Sequence, residues 1–489
     1  MNLPRTARAA LALIALGTVT PPVAGQPAPP ADPVFADVFV ADAAGRPVTG
    51  LRPGDIEVLE DGAPVPVVSC VGPTQVRGAS SDEIARARQL VVALFVDDTA
   101  TPAECQAVFA KADTVAGELL SGARSRVLVA SGSGGVAVRQ AFTADPGQVV
   151  HALEALQTGR GRDAGATGTQ PDRGGAATTS VAALMESLGM LPGRKAFVYV
   201  GGDGPAPVAG SSSPERSELL RILAGKANAA GVTLYSIDAS GGSRVPDQLD
   251  ATRQGAKGLP GATISTAAAQ LAVATAGGLA VTEGADAGAA LVGVVRDFKS
   301  AWSVGFAPSS RGDGGLHRLR VRVKREGVTV RARSAFLDAK EDERMAERTL
   351  AALLLGFEDD SLGIQVSVTS EQKPKEATQL VTVLVTLPLG NLAFEARGVS
   401  HDCDITLWLA ARDGEGQVIR APKAKFPVSV PNDRLLTALS QTAGYAFRVP
   451  MKAGPGAVAV TVRDEIGMQT STTVVPVAPA TEPTPGVTP

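Results

Sequence analysis

The sequence predicts an α/β protein: a doubly wound, mostly parallel sheet, with a small N-terminal β unit before it and a C-terminal β-sandwich after it. Three observations carry this. Leu90–Val96 is an uncharged apolar run with three valines and a phenylalanine, the pattern of a strand buried on both faces. Strand-like and helix-like segments alternate from there to Phe298, as crossovers between parallel strands require. Beyond Gly356 the helical pattern nearly vanishes, and short strands recur between Gly, Asp and Pro turns.

The chain has 489 residues, enough for two or three domains, and a formal net charge of −3, which offers no global basic field for nucleic acid. Residues 1–25 read as a secretory signal. Arg5 and Arg8 precede the apolar stretch Ala9–Val19, which is too short to span a bilayer, and Val23-Ala24-Gly25 supplies small residues for cleavage before Gln26. The expected mature protein is exported, periplasmic or extracellular, with no transmembrane segment. Of the three cysteines, Cys70, Cys105 and Cys403, none forms a CxxC pair; buried free thiols are the expectation, with a Cys70–Cys105 disulfide as the alternative.

Residues 26–33 form a Pro/Ala linker, and 34–72 the N-terminal β unit. Within it Val34–Ala41 reads as a strand, and Asp55–Glu60 and Val65–Val68 flank the hairpin signal Asp61-Gly62. The unit is too small to bury a core of its own, so it is expected to pack against the α/β domain. Thr74–Arg86 reads as a linker. The α/β domain is assigned to 88–337. Its strands are Leu90–Val96, Arg126–Ala130 with the hairpin partner Val136–Phe142, Ala196–Val200 and Val232–Ile237. Its helices are Ala103–Leu120, Pro146–Leu156, Thr178–Leu188, Ser213–Ala230, Ser265–Ala276 and Ala287–Phe298. Two Gly-rich loops, Thr158–Ala177 and Ser240–Gly261, interrupt them. Trp302–Ala307 turns the pattern to β. In Leu316–Lys324 the residues Leu319, Val321 and Val323 face one side and Arg318, Arg320, Arg322 and Lys324 the other, a solvated sheet face, with Val328–Arg333 returning as its hairpin partner. Residues 338–360 contain the amphipathic helix Glu341–Gly356, 361–478 the β-sandwich, for which an immunoglobulin-like arrangement is one form, and 479–489 a disordered Pro/Thr tail.

Chemistry concentrates where the first buried strand ends. Asp97, Thr99 and Thr101 offer a carboxylate and two hydroxyls at the carboxyl end of a central strand, where open α/β sheets place ligand sites. A turn and N-cap role for the same residues is the plain alternative. Thr178 opens a helix after a Gly-rich loop, and Asp203 follows the strand Ala196–Val200 in Gly201-Gly202-Asp203-Gly204. In this combination the chain resembles the von Willebrand factor A (VWA) family, whose metal-ion-dependent adhesion site (MIDAS) joins D-x-S-x-S, a Thr from a second loop and an Asp after a later strand. Thr stands here in place of both Ser. The blocks VFADVFVADAAGRPVTGLRPGDIEVLEDGAPVPV, GRKAFVYVGGDG, AWSVGFAP and LHRLRVRVKREGVTVRARSAF resemble, in that order, the secreted bacterial VWFA-related proteins of acidobacterial type over Val34–Phe336.

The resemblance implies a VWA/Rossmann-like fold and a divalent ion held by Asp97, Thr99, Thr101, Thr178 and Asp203. Hard oxygen donors suit Mg²⁺, with Mn²⁺ or Ca²⁺ as substitutes. It further implies a non-enzymatic binding or adhesion-type protein, in which an Asp or Glu carboxylate of a protein partner completes the metal's coordination. Two alternatives stay open: a structural cell-envelope interaction protein whose site is degenerate, and a metal-dependent hydrolase, for which no nucleophile or general base stands out. His151, His317 and His401 are too dispersed for a triad. His401-Asp402-Cys403-Asp404 reads as a loop, Gly159-Arg160-Gly161-Arg162 does not follow a strand, and Arg311-Gly312-Asp313 reads as turn chemistry. Asp97 is expected at the rim of the core, so that Asp97→Ala folds.

Overall fold

Why does one stretch of eight residues bury every side chain? In the computed structural model, β5 (Leu90–Asp97) occupies the middle of a six-stranded sheet and is covered on both sides. The structure describes residues 33–74, 78–97, 102–122, 124–132, 136–158, 173–201, 213–239, 277–282, 287–310, 312–372, 377–421 and 423–478. Among them no helix is long and apolar enough to cross a membrane.

Four strands precede β5: β1 (Val34–Ala41), β2 (Ile56–Glu60), β3 (Ala63–Val65) and β4 (Val67–Val71). Asp61 and Gly62 both take positive φ, 49° and 92°, which is the geometry that lets a two-residue turn follow the twist of β2 and β3. Ser81–Arg88, expected as linker, is a helix. Ser80 Oγ accepts from the Glu83 amide at 3.2 Å, and Glu83 Oε2 accepts from the Ser80 amide at 2.7 Å. This capping box satisfies two amides that the helix start would otherwise leave without partners.

The main sheet continues with β6 (Arg126–Gly132), β7 (Ala137–Thr143), β8 (Arg194–Gly201), β9 (Val232–Asp238) and β10 (Leu279–Thr282), in the order β10-β9-β8-β5-β6-β7. All neighbours are parallel except β6 and β7. Alternation along β5 divides its side chains between two cores. Leu90, Val92, Leu94 and Val96 meet Val108, Leu119, Leu153 and Phe298, from the helices Pro102–Val108, Ala112–Leu119, Pro146–Gln157 and Ala287–Ser300. Val91, Ala93 and Phe95 meet Leu184, Leu188, Leu223 and Ala352, from the helices Arg173–Met190, Ser213–Ala230 and Glu341–Leu355. An uninterrupted apolar run is what a strand with no wet face requires. The helix expected from Thr178 begins at Arg173. β10 had no sequence assignment, since four residues are too few for a period. The predicted helix Ser265–Ala276 and the loop Ser240–Gly261 lie outside the described residues.

After the sheet come β11 (Trp302–Phe306), β12 (Leu316–Val323), β13 (Thr329–Ala332) and β14 (Ala335–Leu337). They do not form their own unit. Two four-stranded sheets, β13-β1-β11-β4 and β14-β12-β2-β3, interleave them with the N-terminal strands around a shared core of Val38, Val58, Trp302, Phe306, Leu319 and Phe336. This corrects one expectation: β13 is not the hairpin partner of β12 but pairs with β1, while β12 pairs with β2 and β14. β14 pairs with β12 over Leu316–Arg318 and β2 with it over Leu319–Val323, while the returning segment joins the other sheet. Arg318, Arg320, Arg322 and Lys324 are exposed, as the alternation predicts.

The helix Glu341–Leu355 ends in a left-handed Gly356, φ 65°, a conformation open to glycine without a Cβ clash. Leu355 faces the main sheet's core, Leu353 packs with Ala410, Ala457 and Ala459, and Arg348 pairs with Asp359. Beyond it lie β15 (Gln365–Gln372), β16 (Thr378–Pro388), β17 (Glu395–Arg397), β18 (Ser400–Arg412), β19 (Val418–Arg420), β20 (Ala424–Pro431), β21 (Thr442–Lys452), β22 (Gly456–Asp464) and β23 (Thr470–Val477). All their pairings are antiparallel. One sheet runs β15-β16-β21 and the other β17-β18-β22-β23, with β19 and β20 also on β18. Val381, Val383 and Val385 of the first meet Ile405, Leu407, Val460 and Val462 of the second in one core. The sequence reading missed β17 and β20; β20 alternates half-buried and exposed positions, with only Val430 buried, and Pro427 in its middle hides the strand pattern.

Candidate functional site

Counting outward from β5, two strands lie on one side and three on the other, so the order of the sheet reverses between β5 and β8. The crevice outside the carboxyl ends of two such strands is where open α/β sheets hold ligands. β5 ends there in Asp97 and β8 in Gly201.

Asp97 lies on the same face of the sheet as Phe95, Tyr199 and Gly201. Its carboxylate Oδ2 accepts a short hydrogen bond from the Tyr199 hydroxyl. The register sets Tyr199 directly opposite Phe95, ring centroids 5.9 Å apart, so the phenol reaches along the strand to the residue two positions on. Gly201 makes room for this pair: a Cβ there would come within 2.6 Å of the Tyr199 hydroxyl and 2.7 Å of the Asp97 Cβ. A hydroxyl on one oxygen orients the carboxylate. The sequence reading missed Tyr199. Its signal was the alternation in KAFVYVG, which puts a polar-tipped aromatic on the carboxylate's face at the strand end.

One expectation fails here. Asp97 is 1 % exposed and belongs to the buried set, not to the rim. Asp97→Ala would therefore remove the buried carboxylate that accepts from the Tyr199 hydroxyl, a loss of about 1–3 kcal/mol. Asp97→Asn keeps an acceptor oxygen and is the better probe.

Of the other expected ligands, Thr99, Thr101 and Asp203 lie outside the described residues, as does Asp98. Thr178 falls within the helix Arg173–Met190, and its side chain is outside the described part. Gly159–Arg162 is likewise outside it. His401–Asp404 is not a loop but part of β18, where burial pushes the Cys403 thiol up to about 12 and so disfavours a thiolate ligand. All three cysteines are free thiols. Around Arg311-Gly312-Asp313, the Gly312 amide donates to Asp338 and Asp313 Oδ1 accepts from the Gly315 amide at 2.6 Å, which is turn chemistry; Arg311 is outside the described residues.

No family model matches the chain, and no curated protein matches it. Among solved structures it is similar to an aerotolerance-related membrane protein from Bacteroides fragilis, with 13 % identity, 43 % of this chain and 98 % of that chain covered, and a TM-score of 0.27. It is similar to BatB from Bacteroides thetaiotaomicron, with 15 % identity, 42 % and 96 % covered, and a TM-score of 0.27. It is also similar to the vWF domain of the type V pili tip protein Mfa5 from Porphyromonas gingivalis, with 13 % identity, 24 % and 38 % covered, and a TM-score of 0.15.

Proposed function

We propose that the protein is an exported, non-enzymatic binding protein of adhesion type, built on a doubly wound VWA-like domain. Asp97, Thr99, Thr101, Thr178 and Asp203 would hold a Mg²⁺ ion, which offers one coordination position to an Asp or Glu carboxylate of a protein partner. The observation that carries this reading is the placement of Asp97 at the β5/β8 reversal, with its carboxylate held by Tyr199. Apolar cores on both faces of a sheet ordered β10-β9-β8-β5-β6-β7 support the doubly wound part of it. What this chain contributes is orientation. Tyr199 holds one oxygen of the Asp97 carboxylate, Gly201 leaves the space for that contact, and the sheet around it is dry, so charge pairing there is weakly screened.

The test is capture of a partner from the native envelope on immobilised protein, with Mg²⁺ and with chelator. A partner retained by the wild type should be released by chelator and not retained by Asp97→Asn. Equal retention under all three conditions would contradict a metal-bridged mechanism.

A further inference from the structure

A group of side chains with metal-ligand chemistry lies in the small β unit, apart from the ends of β5 and β8. His317, on β12, stands between two carboxylates: its Nδ1 is 2.8 Å from Asp61 Oδ2 and its Nε2 is 3.1 Å from Asp313 Oδ1. Asp338 completes the group, and ligand atoms of Asp313, His317 and Asp338 all lie within 4.8 Å of one another. The fold sets each of them independently. The positive-φ turn at Asp61-Gly62 presents Asp61, whose Oδ1 also accepts from the Arg318 amide at 2.9 Å. The loop before β12 presents Asp313, and the residue just after β14 presents Asp338, whose Oδ2 accepts from Ser310 Oγ at 2.6 Å and from the Gly312 amide. His317 packs against Phe336, ring centroids 5.4 Å apart, so the imidazole is held in place.

The charge balance is uneven. Glu60, only 2 % exposed, turns Oε2 to Ser309, but its Oε1 has no hydrogen-bond donor and lies 3.6 Å from His317 Nδ1. Four carboxylates thus surround one imidazole, and one buried carboxylate oxygen, Glu60 Oε1, has no hydrogen-bond donor.

From this geometry we infer that Asp313, His317 and Asp338 form a site for a divalent transition-metal ion of the zinc class. His317 Nε2 and one oxygen each from Asp313 and Asp338 are the ligands, and the mixed nitrogen and oxygen set favours Zn²⁺ over Mg²⁺. Asp61 accepts from Nδ1–H, fixing the tautomer that leaves Nε2 for the metal. On metal binding the Nε2 proton is released to solvent, and the cation takes over its role toward Asp313. The site locks the turn of the N-terminal unit to the loop before β12 and the segment after β14, three pieces distant in sequence.

The probes are Zn²⁺, for stoichiometry and affinity, and Co²⁺, for its visible absorption, on the full chain. Wild type and Asp97→Asn are expected to bind one equivalent of Zn²⁺ that His317→Gln and Asp313→Asn do not, and to give a Co²⁺ band that both of these lack. Asp61→Asn should weaken Zn²⁺ binding by about 10–100-fold, as loss of an orienting partner does. Asp313 is 48 % exposed, so Asp313→Asn serves as the variant that stays folded should His317→Gln unfold. Equal Zn²⁺ binding by wild type, His317→Gln and Asp313→Asn would overturn the assignment, as would no binding by the wild type. Loss of the equivalent in Asp97→Asn alone would place it in the β5/β8 crevice instead.

Discussion

Trp302→Ala is expected to lose about 3–5 kcal/mol of folding stability, the usual cost of removing a large aromatic from a packed core. Trp302 is 1 % exposed, and its indole Nε1–H donates to the Val48 carbonyl at 3.0 Å. A Cβ on Gly72 would approach the ring to 2.7 Å, so the chain from the N-terminal unit passes directly over it. The side chain therefore plugs a core to which residues on both sides of the main sheet, in sequence terms, contribute. Truncation leaves a void that neither of the two small sheets can close alone. Denaturant midpoints of wild type and variant measure it. A loss below about 1 kcal/mol would mean that the shared core collapses around the gap, against the rigid packing described.

Arg194→Ala is expected to cost a similar amount, about 3–5 kcal/mol, because it strands a buried charge. Arg194 is 7 % exposed and its Nε lies 2.7 Å from Asp37 Oδ1, itself 12 % exposed. The guanidinium also donates to the Phe298 carbonyl and stands over that ring, 4.6 Å from its centroid. One side chain at the start of β8 thus ties β1 to the helix Ala287–Ser300 and to the main sheet. Removal should loosen the N-terminal unit first. Limited proteolysis should then cut the segment around Arg77 faster than in the wild type, with the midpoint shifted in parallel. Unchanged stability and unchanged cleavage would show that the strand pairings alone hold the unit in place.

Sequence reading succeeded where one period or one turn decided the matter. β5 was visible because a strand covered on both faces has no polar positions, and the β2–β3 hairpin because Asp61-Gly62 suits consecutive positive φ. The solvated face of β12 followed from strict alternation. Pairing partners were less legible. Neighbourhood in sequence suggested that β13 returns to β12, whereas β1, some 290 residues away by register (Thr329 with Ala41), takes it. Such choices depend on which strand edges remain open, which only the assembled sheets reveal. The helix Ser81–Arg88 was written in its capping box but lacked a long apolar stripe to announce it. In the candidate site Asp97 was legible from its position after β5, while Tyr199 was not, because its reach to Asp97 depends on the β5/β8 register. The His317 group was invisible for the same reason: Asp61, Asp313 and Asp338 converge only through tertiary pairing.

The central claim, that the β5/β8 crevice binds a divalent ion through Asp97, is tested most directly by melting curves with and without Mg²⁺. An ion that binds only the folded state raises the melting temperature as its occupancy increases, by about 2.7 kcal/mol of stability at a hundredfold excess over its Kd. Wild type in Mg²⁺ or Mn²⁺ should melt above wild type in chelator, and Asp97→Asn, which keeps an acceptor for Tyr199, should fold and show no such response to Mg²⁺. A wild-type melting temperature indifferent to Mg²⁺ and Mn²⁺, or an equal rise in Asp97→Asn, would contradict the claim.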